Sequence, residues 1–205
     1  QPYWDLLRLF RVCQQIHEWT GGLFDVVKTK SGKEIPDPRL EVDFEKGEAR
    51  LARKGTYLDF YGILKGYVID RIAGLLKGQG YTDFMIQSGG DYRTMGRDGK
   101  NYWRITIPDP DGKGKMLCRL SLESASIATA DIRDIAGARF RVGRNPAAET
   151  DLKSVTIITK NATNATALSA TALVLGKAKA REIFSRIASP EEDSEGFGAI
   201  LEDRN

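Results

Sequence analysis

Histidine occurs once in the 205 residues, at His17, and cysteine twice, at Cys13 and Cys118. A single imidazole leaves a histidine-built metal centre without its ligands and gives little support to a Ser-His-Asp triad. The two cysteines lie far apart in the chain and form no metal-ligand spacing. They read as two buried thiols, with a disulfide between them left open. No apolar run approaches the roughly 20 residues needed to cross a bilayer. Lys and Arg number 31 against 28 Asp and Glu, a net charge of +3 without any long basic run, so composition argues against nucleic acid. Repeats, low-complexity tracts and interdomain linkers are also missing, which favours one compact unit over residues 1–205. The chain starts at Gln1 rather than Met and reads as a processed or trimmed product, any signal peptide or lipid anchor lost with its start.

An apolar fraction of 41% and a charged fraction of 29% are those of an ordinary globular protein with a substantial core. Arg133, Arg139, Arg141 and Arg144 cluster. A solvated strand face is the first reading of that cluster, and a phosphate contact is the alternative. Asn161-Ala-Thr163 and Asn164-Ala-Thr166 match the glycosylation sequon and are read as coincidence.

Helical spacing of Leu6, Leu9, Phe10, Cys13, Ile16 and His17 predicts a helix over residues 4–19, stopped by Thr20-Gly21-Gly22. Residues 21–39 are rich in turn formers and read as an exposed loop. Alternation in 41–51 predicts two strands around Lys46-Gly47. A short strand over 57–60 then runs through Gly62 into a helix ending near Gly78. Strands are expected at 83–87, 102–107, 116–122 as partner of the one before it, 127–129, 139–142, 154–159 and 197–201. Two further helices are expected at 165–175 and 178–187. Strand-rich segments broken by a few long helices predict an α+β fold with a largely antiparallel sheet and packed helices.

Individually, the polar landmarks have bland readings. Gly89-Gly90-Asp91 makes a good turn, although paired glycines also let backbone amides approach a phosphate. Lys65 and Asp70 suit a solvated helix face and Tyr67 suits a core. Phe24-Asp25 behind Gly21-Gly22 needs no ligand. The junction of strand and helix at Leu58–Lys65 would present free N–H groups and a positive dipole end to an anion.

Their order is more telling. Thr20-Gly21-Gly22-Leu23-Phe24-Asp25, Leu58-Asp59-Phe60-Tyr61-Gly62-Ile63-Leu64-Lys65-Gly66-Tyr67-Val68-Ile69-Asp70, Ser88-Gly89-Gly90-Asp91, Ala128-Thr129 and Ala167-Leu168-Ser169 through Gly176 follow one another. This order resembles the ApbE family, the bacterial FAD:protein FMN transferases. The family shows T-x-G-x-F-D, L-D-x-G-G-I-A-K-G-Y-x-x-D, G-G-D and a closing A-D-A-L-S-T helix. The resemblance runs from about Thr20 to Gly176, with Lys65-Gly66-Tyr67 its most specific part, and the family's N-terminal segment is not matched. It implies an ApbE-like (T-fold-like) architecture and export from the cytoplasm. It also implies FAD as ligand, with magnesium, and splitting of the pyrophosphate. FMN then goes to a Thr or Ser of a target flavoprotein, and AMP is released. Carried over position by position, Phe24, Asp25, Lys65, Tyr67, Asp70, Gly89, Gly90, Asp91 and Thr129 would meet the flavin nucleotide.

The departures fall on the chemistry. The family's metal ligands are a backbone carbonyl, which maps to Leu64, and an Asp and a Thr one helical turn apart, which map to Thr166 and Ala170. Thr171 would supply a hydroxyl only if the register slipped by one. A hard cation prefers charged oxygen ligands, so this replacement predicts an impaired magnesium site. The family's H-I-I-D-P-x-T-G has become Arg141-Val142-Gly143-Arg144-Asn145-Pro146-Ala147, and its A-T-S-G has become Ala128-Thr129-Ala130-Asp131. Tyr61 stands where the family has the first glycine of G-G-I-A-K-G-Y, its bulk lining or crowding the groove. The expectation is a divergent member that holds a flavin with little transfer activity. An active magnesium-dependent transferase is one alternative. A flavin-free scaffold using Tyr61 and the basic loop from Lys28 to Arg39 is the other.

Overall fold

Helix α1, Pro2–Trp19, turns Leu9, Cys13 and Ile16 inward at the spacing of one helix face. It stops where Gly21 and Gly22 both take positive φ, 61° and 82°, a conformation that side chains with a Cβ avoid. Thr20 seals this end: its hydroxyl donates to the Ile16 carbonyl and accepts the Phe24 amide. His17 Nδ1 donates to the Phe24 carbonyl at 2.9 Å, so the sole histidine is a structural clasp. The computed structural model describes residues 2–29, 35–36, 38–112, 114–133, 150–187 and 197–203.

Three short strands follow: β1 (Val27–Thr29), then the hairpin β2 (Leu40–Asp43) and β3 (Glu48–Leu51). β1 pairs antiparallel with β4 (Thr56–Leu58). The expectation of an unbroken loop over 21–39 is therefore corrected at Val27–Thr29. Three residues give too short an alternation to stand out among turn formers, and pairing with β4 supplies what propensity lacks. Residues 30–34 and 37 of that loop lie outside the described residues.

Helix α2, Tyr61–Gly78, begins one residue before Gly62. Its inward face is Ile63, Gly66, Ile69 and Ala73. Stacking of Phe10 on Phe60, ring centroids 6.0 Å apart, ties α1 to its start. The hairpin β5 (Phe84–Ser88) and β6 (Asp91–Met95) comes next, then the ribbon β7 (Trp103–Pro108) and β8 (Met116–Leu122). After these come β9 (Ser126–Asp131) and β10 (Leu152–Thr159). Helix α3 (Ala162–Leu175), helix α4 (Lys177–Ile187) and β11 (Gly198–Asp203) complete the described elements. The expected strand at 139–142 lies outside the described residues, as do Arg139, Arg141, Arg144 and the altered run 141–147.

Five strands make one antiparallel sheet in the order β11-β10-β9-β6-β5. This is the α+β architecture with a largely antiparallel sheet that the strand-rich pattern predicts. Helix α3 packs against β9, β10 and α2. It is buried from Ala162 through Leu173 save Asn164, and a helix apolar on all sides belongs in the middle of a fold. Its alanines let neighbours come close. At Gly66 a Cβ would stand 2.6 Å from the Ala162 carbonyl carbon and 2.5 Å from Thr166 Oγ1. Only glycine permits that approach of α2 to α3. A second, smaller core of Ile105, Ile107 and Ile127 lies under the β7–β8 ribbon. Cys13 and Cys118 are both free thiols, and burial pushes Cys13 up to about 12.

Candidate functional site

A cleft of about 580 Å3 opens between α2 and the β5 end of the sheet. Its side wall on α2 is Tyr61, Leu64, Val68 and Ile72, each exposed by 40% or more. These positions recur at helical spacing opposite the buried face, so α2 is apolar on two sides. Ile86 of β5 faces them, and Thr129 of β9 with Thr166 and Ser169 of α3 supply polar groups.

At the floor lies a buried carboxylate. Asp91 is 1% exposed and accepts from three directions. Lys65 Nζ stands 3.2 Å from Oδ1, Thr166 Oγ1 donates to Oδ2 at 2.9 Å, and the Thr129 amide donates as well. Burial raises the Asp91 carboxyl above its ordinary value, and those three partners pull it part of the way back. The Gly89-Gly90 turn carries Asp91 there. It is a two-residue hairpin closing the Ser88–Asp91 pair, with φ of 60° at Gly89 and no positive φ at Gly90. Lys65 Nζ hangs over this turn, 4.0 Å from where a Gly89 Cβ would be.

The structure thus brings Lys65, Asp91 and Thr129 together, with Gly89 and Gly90 beside them. Tyr67 and Asp70 face a separate hollow of about 370 Å3 shared with Arg93. The Tyr67 hydroxyl donates to the Asp5 carbonyl of α1 at 2.6 Å, and burial raises its pKa. Asp70 accepts the Ala162 and Thr163 amides and an Arg93 guanidinium N–H. Phe24 packs in the main core, while Asp25 takes the Val27 amide, and neither lines the cleft. The free amides expected at the start of α2 are largely used within the chain. Tyr61's goes to Asp59 Oδ1, and those of Ile63 and Leu64 go to the Phe60 carbonyl.

Leu64 and Thr166 line the cleft, whereas Ala170 is buried and does not. The Thr171 hydroxyl is spent on the Ala167 carbonyl. Among the described residues no group of three or more His, Cys, Asp or Glu could hold a metal ion. Asp91 is the only carboxylate among the described cleft-lining residues, and an ammonium already matches it. These donors do not fit a divalent cation, which wants several oxygen ligands and net negative charge.

Two parts of the site escape a reading of motifs. Ser169, donating to the Thr166 carbonyl, adds a second hydroxyl one turn along α3. The other is the wall beyond Tyr61, at Leu64, Val68 and Ile72, whose signal in the sequence is a second helical stripe on α2. Of the arginine cluster, Arg133 is described, paired with Asp131 through two N–H groups.

A family model described as "ApbE family" matches residues 3–191. A FAD:protein FMN transferase of Haemophilus influenzae is 27% identical over 156 residues, which is 70% of this chain and 45% of the relative. Its counterpart from Salmonella typhimurium is 25% identical over 185 residues, 84% of this chain and 52% of the relative. This chain spans about half the length of the curated relatives it matches. The flavin transferase of Vibrio cholerae superposes with a TM-score of 0.71 at 20% identity, over 97% of this chain and 74% of that one. A Thermotoga maritima structure gives 0.72 at 22% identity, over 95% and 71%. At these identities the superpositions establish a shared fold.

Proposed function

This chain belongs to the ApbE family, and on that premise we propose that it binds a flavin nucleotide, FAD first, with little or no FMN transfer. The observation that carries the reading is the cleft. Its wall at Tyr61, Leu64, Val68 and Ile72 suits a flat apolar ring system, and Lys65 at its floor suits a phosphate. FAD supplies both in one molecule.

Transfer would need more. The acceptor hydroxyl oxygen must bond to the FMN-side phosphorus while the bond to the AMP oxygen breaks, the hydroxyl proton passing to AMP or solvent. Such chemistry depends on neutralising charge on the phosphates. Lys65 is the only cation among the described cleft-lining residues, and it is already paired with Asp91. A flavin-holding role fits this site better than a transferase, and any partner with an acceptor Thr or Ser belongs to that second reading. By the same family resemblance, the protein works outside the cytoplasm.

Calorimetric titration with FAD, in magnesium and again in EDTA, tests the reading. Equal binding in both buffers is the expected result. Binding that needs magnesium would turn the assignment to a transferase, and no binding in either buffer would leave a scaffold that uses the fold without flavin.

A further inference from the structure

We propose that the Lys65 ammonium stands in this cleft as a built-in cation: paired with Asp91, it takes the place of a divalent metal and receives the ligand's phosphate itself. The inference rests on the flavin reading only for the identity of the anion.

The geometry is a closed balance of charge. Asp91 is the floor's one carboxylate, 1% exposed, and cannot stay ionised there without a partner. Lys65 provides one at 3.2 Å, and the third neighbour, Thr166, is a neutral hydroxyl aimed at the other carboxylate oxygen. Carboxylate and ammonium sum to zero. A dication arriving at Asp91 would meet an ammonium within contact distance and only one charged oxygen ligand. Had residue 166 been acidic, two carboxylates would share the floor against one lysine, leaving a net negative site that attracts a dication.

Lys65 is also placed to serve outward. Its side chain is 44% exposed while its partner is buried, so the ammonium sits at the boundary between floor and open cleft. Of its three N–H directions, one is directed at Asp91. It hangs beside the Gly89-Gly90 turn, where no Cβ stands between backbone and ligand. Unlike a bound metal, this charge needs no loading.

Manganese alone is the probe. The free-ion resonance of Mn2+ is followed as the full chain is added, for the wild type, Thr166→Asp, and the double variant Lys65→Met with Thr166→Asp. The wild type is expected to leave the signal unchanged into the millimolar range, on the order of 1 mM. The variants are expected to gain one saturable site at least about tenfold tighter, the double variant tighter still. A saturable site on the wild type that Asp91→Asn removes would overturn the proposal. So would failure of both variants to gain a site while their melting curves stay cooperative, because charge balance would then not be what excludes the ion. A parallel FAD titration separates the two ideas. Binding lost in EDTA overturns the built-in cation. No FAD binding, with Mn2+ still refused by the wild type and accepted by the variants, overturns the flavin reading and upholds the cation.

Discussion

Asp70 and Thr163 are 93 positions apart in the chain, and one carboxylate oxygen of the first receives both the amide and the hydroxyl of the second. The other oxygen takes the Ala162 amide and an N–H of Arg93. Asn161 caps the same helix end locally by accepting the Asn164 amide. The start of the central helix is thus held by a carboxylate from α2, where helix dipole and open amides both favour negative charge.

Replacing Asp70 with Ala is expected to cost about 2–4 kcal/mol, since it uncaps α3 and strips Arg93 of its charge partner. Asp70→Asn should cost less, because one acceptor oxygen survives. Urea unfolding checks both. A loss below about 1 kcal/mol for the Ala variant would mean that the cap is not what holds α3.

Gly66 and Gly74 lie on the same helix with opposite surroundings. At Gly66 an added methyl meets the Ala162 carbonyl and Thr166, whereas at Gly74 nothing stands within 4 Å. Gly66→Ala should therefore destabilise by roughly 1–3 kcal/mol or more as the helices are forced apart. Gly74→Ala should stabilise by up to about 1 kcal/mol through helix propensity. Equal effects at the two sites would contradict the close approach.

Lys65 and Tyr67 are two residues apart and serve different spaces. Lys65→Met is expected to weaken FAD binding at least about tenfold and also to lower the melting temperature, because Asp91 stays buried and loses its ammonium partner. Tyr67→Phe removes one hydroxyl donated to Asp5 and should cost about 1 kcal/mol of stability with FAD affinity unchanged. FAD affinity that falls with Tyr67→Phe and holds with Lys65→Met would move the flavin to the hollow beside α1.

Asp91 gives a pH dependence of definite sign. Burial raises its carboxyl above 3.8, despite the pull of Lys65 and Thr166. Its contribution to stability is therefore fullest below pH 3.8 and is lost as pH rises through the raised folded value. Asp91→Asn cannot titrate. The unfolding free energy of the wild type minus that of the variant is expected to fall as pH climbs from about 4. A difference that grows over that window would show the ion pair outweighing desolvation.

The strand Met116–Leu122 was legible to the residue, because apolar and polar side chains alternate from Cys118 to Leu122 with no competing signal. The strand Asp91–Met95 was not. Its sequence, DYRTM, is polar, and its two buried members, Asp91 and Thr94, are satisfied by partners far away in the chain. Helix α3 starts three residues earlier than its apolar pattern suggests, because Asn161 is its cap. From sequence alone the same Asn stands out only as part of a sequon. Within the site, the order of motifs pointed to Lys65, Asp91 and Thr129. It could not separate them from Tyr67 and Asp70, which share their helix or motif but face another direction. Which face a helical residue presents follows from where the neighbouring helix packs, and here Gly66 decides that.

Helix α2 is a party wall, with the protein's interior on one side and the cleft on the other. When the cleft is empty, Tyr61, Leu64, Val68 and Ile72 stand in water at a cost of roughly 25 cal/mol for each Å2 of apolar surface. Whatever fills the cleft removes that surface and braces the helix that carries Gly66 and Asp70. On the flavin-binding proposal, occupancy and surface character become one property: the empty cleft exposes this apolar wall and the filled one covers it.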